Sequence, residues 1–389
     1  MSGPGGPAGG ARPGAGAELD GMGPTARLLA AAARRPAGRA LAGRLELARV
    51  RAASGWRRSV SAAAAAAQLS ANHDATYRRI WSDAAREVGA SMEELAPGYF
   101  RFRRGRVETL AWRHHVMLDS PATTTLAGDK QLLHRLLAEA GVPVPRSVSA
   151  GEDGLCELLA FRAELGGRLV VKPARGTSGG AGVTCGVRSA DDTVRAWLVA
   201  RQHYPVVLGE EQQTGAEYRL LLLDGQLLGA VRRSPAQVTG NGRATVRELI
   251  DAVNRERLAG GPHGVSRLIP VNLECLLALR RAGLDPQSVP AAGEVVAVSE
   301  SVSANGAQEN ETWRELSPAL LATARQAAEV ARLRLAGIDL VTDDPAAALE
   351  GHGVVLEVNA TPGLHYHYQV RRPEACERVA VPLLDHLLA

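Results

Sequence analysis

Two short apolar stretches near the C-terminal end, GIDLV at 337–341 and VVLEVN at 354–359, each carry an acid among residues that otherwise belong in a core. An ionised carboxylate is costly in an apolar interior unless it is paired or bound. Any fold of this chain must therefore give these strands a polar face as well as a buried one. Side chains alternate along a strand, which sets Glu357 and Asn359 on one face and Val358 on the other. If the two strands pair, Asp339 joins them, and two carboxylates with one amide oxygen form a cradle for a hard cation. Magnesium takes a few protein oxygens together with substrate phosphates, and this set meets that demand. The alternative is three solvated groups on edge strands; the apolar neighbours favour the cation.

The basic residues carry the second constraint. Of 45, only Lys130 and Lys172 are lysine and the rest are arginine. A chain that replaces lysine wherever arginine is tolerated keeps an ammonium where a compact charge on a flexible stem is needed, as beside phosphate oxygens. Lys172 ends the strand RLVVK, and the glycine-rich loop GTSGGAG (176–182) and a second strand, VTCGV, follow it. Such a loop lets backbone N–H groups approach a phosphate chain. Lys130 stands at a helix start, where the helix dipole also favours phosphate.

With 389 residues, 46% of them hydrophobic, the chain has material for two or three compact units. Aromatics make up only 4%, so the core rests on Leu, Val and Ala. The net charge of +4 does not point to nucleic acid, because stacking aromatics are scarce and no basic recognition motif is present. Four scattered cysteines form no CxxC pair, so neither a disulfide framework nor a zinc site is expected, and a reducing cytoplasm is the plain reading. No apolar run is long enough for a bilayer, and no membrane partner is expected.

Residues 1–25 are Gly/Pro/Ala-rich and read as a disordered tail. Residues 26–120 read as a small N-terminal domain whose role the sequence does not declare: a basic amphipathic helical stretch, then TYRRIWSDAAREVGA as helix and GYFRFRRGRVETLAW as strand. From Pro121 the pattern changes. Asp129 caps a helix that Gly141, Pro143 and Pro145 stop. Residues 217–233 form a hairpin around Asp224-Gly225, and Thr245 with Glu248 makes a capping box. Ser317 caps a helix running to about Leu335, with Pro318 at its first position. The segment HYHY (His365 to Tyr368) reads either as a pocket rim that touches substrate or as a satisfied surface loop.

In this order the motifs resemble the ATP-grasp superfamily, and within it the ATP-grasp module of cyanophycin synthetases. AGDKQLLHRLLAEAGVPVP resembles the family's opening helix and VVKPARGTSGGAGVT its phosphate-loop hairpin. EYRLLLLDGQLLGAVRRSPAQVTGNGRATVRELIDAVNRE resembles its long core segment, and AGIDLVTDD and VLEVNATPGL its metal-binding strands. The likeness runs over roughly residues 121–370. It implies an α+β architecture: an ATP-grasp fold in which two α/β subdomains clasp ATP, preceded by the N-terminal domain. Residues 121–207 would be the lid and phosphate-loop subdomain and 208–389 the metal and substrate subdomain.

The resemblance implies roles residue by residue. Lys130, Lys172 and the loop residues Gly176, Ser178, Gly179 and Gly180 would contact ATP phosphates. Glu210 and Glu211 would receive the adenine, mostly through backbone groups, and Glu217 would lie near the ribose. Asp339, Glu357 and Asn359 would hold two Mg2+ ions. Arg219 and Lys172 would act in catalysis, with Arg219 directed at the transferring phosphoryl group or the carboxylate; the other reading of Arg219 is an ordinary ion pair at the core edge. The implied activity is a ligase that activates a carboxylate as an acyl phosphate and joins it to an amine. Amino acids or short peptides would be its substrates, and a homodimer is the family's expectation. The alternatives are a small-molecule phosphotransferase or a non-catalytic nucleotide-binding regulator. Departures from the pattern are specific. Neither lysine has the GxxxxGK[ST] setting of the cyanophycin synthetases' second module. The loop SVSANGAQENETW (301–313) has its own wording, and Gly337 stands where D-alanine–D-alanine ligases commonly carry an arginine.

Overall fold

The computed structural model describes residues 22–53, 62–151, 153–175, 180–260, 267–300 and 309–389. The basic N-terminal run folds as two helices, α1 (Pro24–Ala33) and α2 (Pro36–Ala53). A longer helix, α3 (Ala62–Glu87), follows, and its stripe Tyr77, Ile80, Trp81 and Ala84 is fully buried at helical spacing. An antiparallel meander comes next: β1 (Ser91–Ala96), β2 (Tyr99–Arg104), β3 (Val107–Trp112) and the short β4 (His115–Val116). Phe100 and Phe102 alternate inward from β2 against the α3 stripe, as a half-buried strand requires.

Two capped helices lead into the next unit. Ser120 accepts from the Thr123 N–H at the start of α4 (Pro121–Gly128), and Asp129 accepts from the Leu132 N–H at the start of α5 (Lys130–Glu139). Then come β5 (Ser147–Ala150), α6 (Leu155–Leu165), β6 (Leu169–Pro173), β7 (Thr184–Val187), α7 (Ala190–Arg201) and β8 (Val207–Glu211). The four strands form an antiparallel sheet in the order β5-β8-β6-β7. Its core of Leu158, Leu169, Val171, Trp197 and Leu198 also takes in Ala26, Ala30, Ala42 and Val50 from α1 and α2. The stretch 26–120 thus supplies two cores: α1 and α2 pack here, whereas α3 and the meander pack with Leu383 and Leu384 near the C-terminus.

The predicted hairpin is β9 (Ala216–Leu223) and β10 (Gln226–Ser234), turned by Asp224 at φ 46° and Gly225 at φ 75°. Positive φ at both central residues is the geometry that suits a tight hairpin. A small unit follows, in which β11 (Gln237–Thr239) precedes α8 (Val246–Leu258), α9 (Leu273–Arg281) and β12 (Val295–Ala297), and both contacts of the Thr245–Glu248 capping box are present. The chain ends through β13 (Glu309–Thr312), α10 (Pro318–Val330), β14 (Leu335–Thr342), β15 (Gly353–Asn359), α11 (His365–Tyr368) and α12 (Ala380–Leu387). Helix α10 stops short of the expected Leu335 because Arg332 turns into the left-handed region at φ 58° and Leu335 already belongs to β14. The second large sheet runs β13-β10-β9-β14-β15, every neighbour antiparallel. HYHY is not a surface loop: His365 and His367 are buried. Among the described residues no helix is long and apolar enough to cross a membrane.

Candidate functional site

Strand register builds the site. On the five-stranded sheet Arg219 of β9 stands directly opposite Asp339 of β14, and Asp339 stands opposite Glu357 of β15. Arg233 of β10 is likewise opposite Glu217 of β9, and Gly337 opposite Asn359. The two predicted acid-bearing strands therefore do pair, and their acids lie in one row across the sheet.

Four charged side chains and one amide lock this row. Arg219 clasps Asp339 through two contacts, Nε to Oδ1 at 2.6 Å and Nη2 to Oδ2 at 2.5 Å. Arg233 Nη1 donates to Glu217 Oε1 at 2.9 Å and lies 3.4 Å from Asp339 Oδ2. Asn359 Nδ2 lies 3.3 Å from the same Asp339 oxygen. Two guanidinium groups thus face two carboxylates, all buried. Burial raises the Glu217 carboxyl; Arg233 opposes this, the Asp339 charge reinforces it, and the group is pushed up to about 7. Burial would depress Arg219, but Asp339 more than compensates and holds it above the ordinary arginine value. The Tyr366 ring covers both guanidinium groups, its centroid 4.8 Å from Arg219 Cζ and 5.4 Å from Arg233 Cζ.

The two lysines extend the row towards the other sheet. Lys130, on the first turn of α5, pairs with Glu357. Burial works to neutralise both partners, yet each holds the other charged: Lys130 is raised, and Glu357 is drawn down to about 2. Lys172 of β6 pairs with Glu210 of β8 at 2.6 Å, with Glu210 only 4% exposed. Burial pushes the Glu210 carboxyl up, but Lys172 and then His134 overcome it and the group is lowered. His134 of α5 donates from Nε2 to the Leu356 carbonyl at 2.9 Å, which directs Nδ1 towards Glu210, 3.8 Å away.

Most of the residues singled out in the sequence therefore fall in one continuous charged seam: Lys172, Glu210, Lys130, Glu357, Asp339, Arg219 and Glu217. Asn359 flanks it. Glu211, at the end of β8, is half-buried, and its N–H donates to the Arg146 carbonyl at 2.9 Å. Gly176, Ser178 and Gly179 lie outside the described residues, and Gly180 takes φ 73°, a conformation suited to glycine. Sequence reasoning missed Arg233 and His134, and for Tyr366 it left open whether the HYHY segment is a pocket rim or a surface loop. The signal for Arg233 was available, because a hairpin turned at Asp224-Gly225 brings it level with Glu217.

A two-sheet α+β architecture with this seam of lysines, arginines and acids agrees with the ATP-grasp resemblance of the sequence. The chain is related to the cyanophycin synthetases. It is 35% identical over 248 residues to cyanophycin synthetase of Trichormus variabilis, which covers 62% of this chain and 27% of that protein. The same enzyme of Synechocystis is 34% identical over 271 residues, 67% of this chain and 30% of its own length. A bifunctional glutathione biosynthesis protein of Listeria innocua is 27% identical over 294 residues, covering 74% of this chain and 38% of that one. The chain spans less than a third of the cyanophycin synthetases it matches. Among solved structures, a bifunctional glutathione synthetase from Pasteurella multocida aligns at TM-score 0.49 with 22% identity, over 77% of this chain and 42% of that one. No family model matches the chain.

Proposed function

We propose that this chain is an ATP- and magnesium-dependent carboxylate–amine ligase acting on amino acids or short peptides. The observation that carries the reading is the charged seam: two ammonium groups and two guanidinium groups, each against a carboxylate that is buried or, for Glu357, half-buried, running from one sheet to the other. Lys130 and Lys172 would bind ATP phosphates, and the backbone around Glu210 and Glu211 would border the adenine, with Glu217 beside the ribose. Residues 121–207 would be the lid unit and 208–389 the metal and substrate unit, with β8 (Val207–Glu211) of the four-stranded sheet crossing that boundary.

Two carboxylates and an amide oxygen, with Glu357 held ionised, suit magnesium in donor type. Among the described residues no three His, Cys, Asp or Glu side chains are placed to hold a metal by themselves. That is in keeping with an ion completed by phosphate oxygens. Asp339, Glu357 and Asn359 would hold two such ions, which with ATP would neutralise charge on the transferring phosphoryl group.

The rest falls to the chain's own groups. A substrate carboxylate oxygen attacks the γ-phosphorus and ADP leaves; the amine then attacks the acyl carbonyl and phosphate leaves. Arg219 and Arg233, fixed in a low-dielectric site, would orient the substrate carboxylate and favour the negative charge on the transferring phosphoryl group and then on the tetrahedral oxygen. Such chemistry is positioning and electrostatics, and it needs no nucleophilic side chain.

The test is incubation with ATP, magnesium and pooled amino acids and short peptides, following ADP, phosphate and product masses for the wild type, Lys172→Ala and Glu357→Ala. ADP release that needs both an acid and an amine, gives an amide mass and is lost in both variants supports the ligase. A phosphorylated small molecule without an amide replaces it with a phosphotransferase. Nucleotide binding without turnover in any pool replaces it with a regulator.

A further inference from the structure

Tyr366, which covers Arg219 and Arg233, belongs to α11, a single turn of four residues. One turn has no stability of its own, since nucleation costs more than its first hydrogen bond returns. What holds it comes from far away in the chain. Tyr77 of α3 is fully buried, and its hydroxyl lies 2.8 Å from His365 Nδ1. The same oxygen lies 3.4 Å from the His365 backbone nitrogen. Burial raises the Tyr77 phenol far above its usual range, so it keeps its proton and has one to give. The O–H therefore donates to Nδ1, and the oxygen accepts the backbone N–H. That assigns His365 as the neutral tautomer protonated on Nε2, in keeping with a pKa held low by burial and by the neighbouring His73, His114 and Arg219.

Aromatic packing closes the clamp. The His365 ring meets Tyr77 edge-on at 5.8 Å and His73 at 5.3 Å, and its centroid lies 4.1 Å from that of the Tyr366 ring. Gly363 makes the fold-back possible: a Cβ there would sit 2.6 Å from His365 Cε1 and 3.0 Å from a Tyr366 ring carbon. A continuous contact path thus runs from Tyr77 through His365 and Tyr366 to Arg219.

We propose that Tyr77 is a positioning residue of the ligase site: through His365 it fixes α11, and so holds the Tyr366 ring against Arg219 and Arg233. The unit built from α3 and the β1–β4 meander is then a working part of the site. The substrate that Arg219 addresses, the carboxylate or the amine, is the one whose handling depends on it, while ATP binding is not. This assignment rests on the ligase reading, and the test separates the two.

Tyr77→Phe keeps the ring and removes only the hydroxyl, Tyr366→Leu removes the ring face, and the double variant combines them. The first readout is NMR of the Arg219 side-chain Nε–Hε, which the bond to Asp339 shields from exchange, together with the His365 ring nitrogens. Tyr77→Phe is expected to lose the hydrogen-bonded Nδ1 signal and to move the Arg219 resonance in the direction that Tyr366→Leu moves it. The second readout is ADP release with the pooled amino acids and peptides. There Tyr77→Phe should lower kcat/KM for the pool about tenfold, the scale of one lost buried hydrogen bond, with KM for ATP unchanged. The double variant should be no worse than Tyr366→Leu. An Arg219 resonance unmoved by Tyr77→Phe overturns the proposal, and so does a double variant whose losses multiply. If the wild type turns over no pool, the ligase reading fails by itself, and the Arg219 resonance alone decides whether Tyr77 positions it.

Discussion

Replacing Asp339 by Asn should cost more than any other single change in the seam, and the arrangement of charges says how the cost depends on pH. The core of the row is two plus and two minus: Arg219 and Arg233 against Asp339 and Glu217. Asp339→Asn leaves a surplus positive charge at a site where Arg219 and Asp339 are each only 4% exposed. Removing one partner of a buried pair costs about 3–5 kcal/mol, a large part of the roughly 5–15 kcal/mol that holds a typical protein folded. Without the Asp339 charge Glu217 stays ionised beside two guanidinium groups; only the wild type then loses stability as pH rises through the Glu217 value of about 7, so this penalty should be smaller at pH 8 than at pH 6. Arg219→Met leaves a surplus negative charge instead, and Glu217 can relieve it. Its carboxyl already sits at about 7, and the loss of a neighbouring cation raises it further. A group raised on folding adds stability that is full below its unfolded value and is lost as pH rises through its folded value. Arg219→Met should therefore be milder at pH 6 than at pH 8. The double variant restores balance, leaving Arg233 against Glu217, and should be no less stable than Asp339→Asn alone. Urea unfolding followed by circular dichroism and tryptophan fluorescence at both pH values measures all three. Single penalties that add to within about 0.5 kcal/mol, or an Arg219→Met penalty flat in pH, would refute the charge argument.

Three further outcomes follow from particular contacts. His114 and His367 are held down to about 3, chiefly by burial, so below pH 6.5 the unfolded chain takes up protons first; urea midpoints should fall from pH 6.5 towards 3, with about 1.4 kcal/mol per pH unit from each group, and His367→Gln should make that slope shallower. A Cβ on Gly337 would lie 2.7 Å from Pro362 Cβ, a ring with no freedom to swing aside; Gly337→Ala should cost about 1–3 kcal/mol, read from thermal melts. Lys172→Met leaves Glu210 buried beside His134 and without its paired ammonium, with Lys130 the remaining lysine acting on it; ATP affinity by calorimetry should drop more than tenfold, and the Glu210 carboxyl should rise from its lowered position, visible by carboxyl carbon NMR.

Local chemistry was legible in the sequence wherever a few neighbouring residues decide the structure. The Asp129 cap, the Asp224-Gly225 turn and the Thr245–Glu248 box each formed as their spacing requires. So did the pairing of the two acid-bearing strands, because an acid in an apolar strand has few inexpensive places to go. What escaped was the choice of partner over long distances. Arg219 and Asp339 are 120 positions apart, and Lys130 and Glu357 are 227 apart. Only register fixes which arginine meets which acid, and register shows in a sequence through its turns alone. The His365–Tyr368 segment was left open between rim and surface for the same reason. Its burial depends on Tyr77, 288 residues earlier, and nothing in HYHY itself announces that contact. Arginine-rich α1 and α2 offered no sign that their alanines, not their leucines, would be the buried face; Leu28, Leu41 and Leu45 remain exposed while Ala26, Ala30 and Ala42 are covered.

The division of labour between the two kinds of cation accounts for the scarcity of lysine. Inside the five-stranded sheet the guanidinium of Arg219 is bonded to both oxygens of one carboxylate, and Arg233 bridges two acids. A planar fork bound in this way is a fixed part of the sheet, since moving it breaks two contacts at once. Each lysine is instead paired with a single carboxylate through one ammonium, Lys130 to Glu357 and Lys172 to Glu210. A single-point contact on a flexible stem can exchange a carboxylate oxygen for a phosphate oxygen with little rearrangement. Under the proposed function, Glu357 would then be free for a metal ion, while Glu210 keeps His134 beside it. On this argument the arginines set the shape of the site, and under the proposed function the lysines would be the groups that change partner when a nucleotide enters. Two positions out of 45 needed that freedom, and they are the two where the chain kept an ammonium.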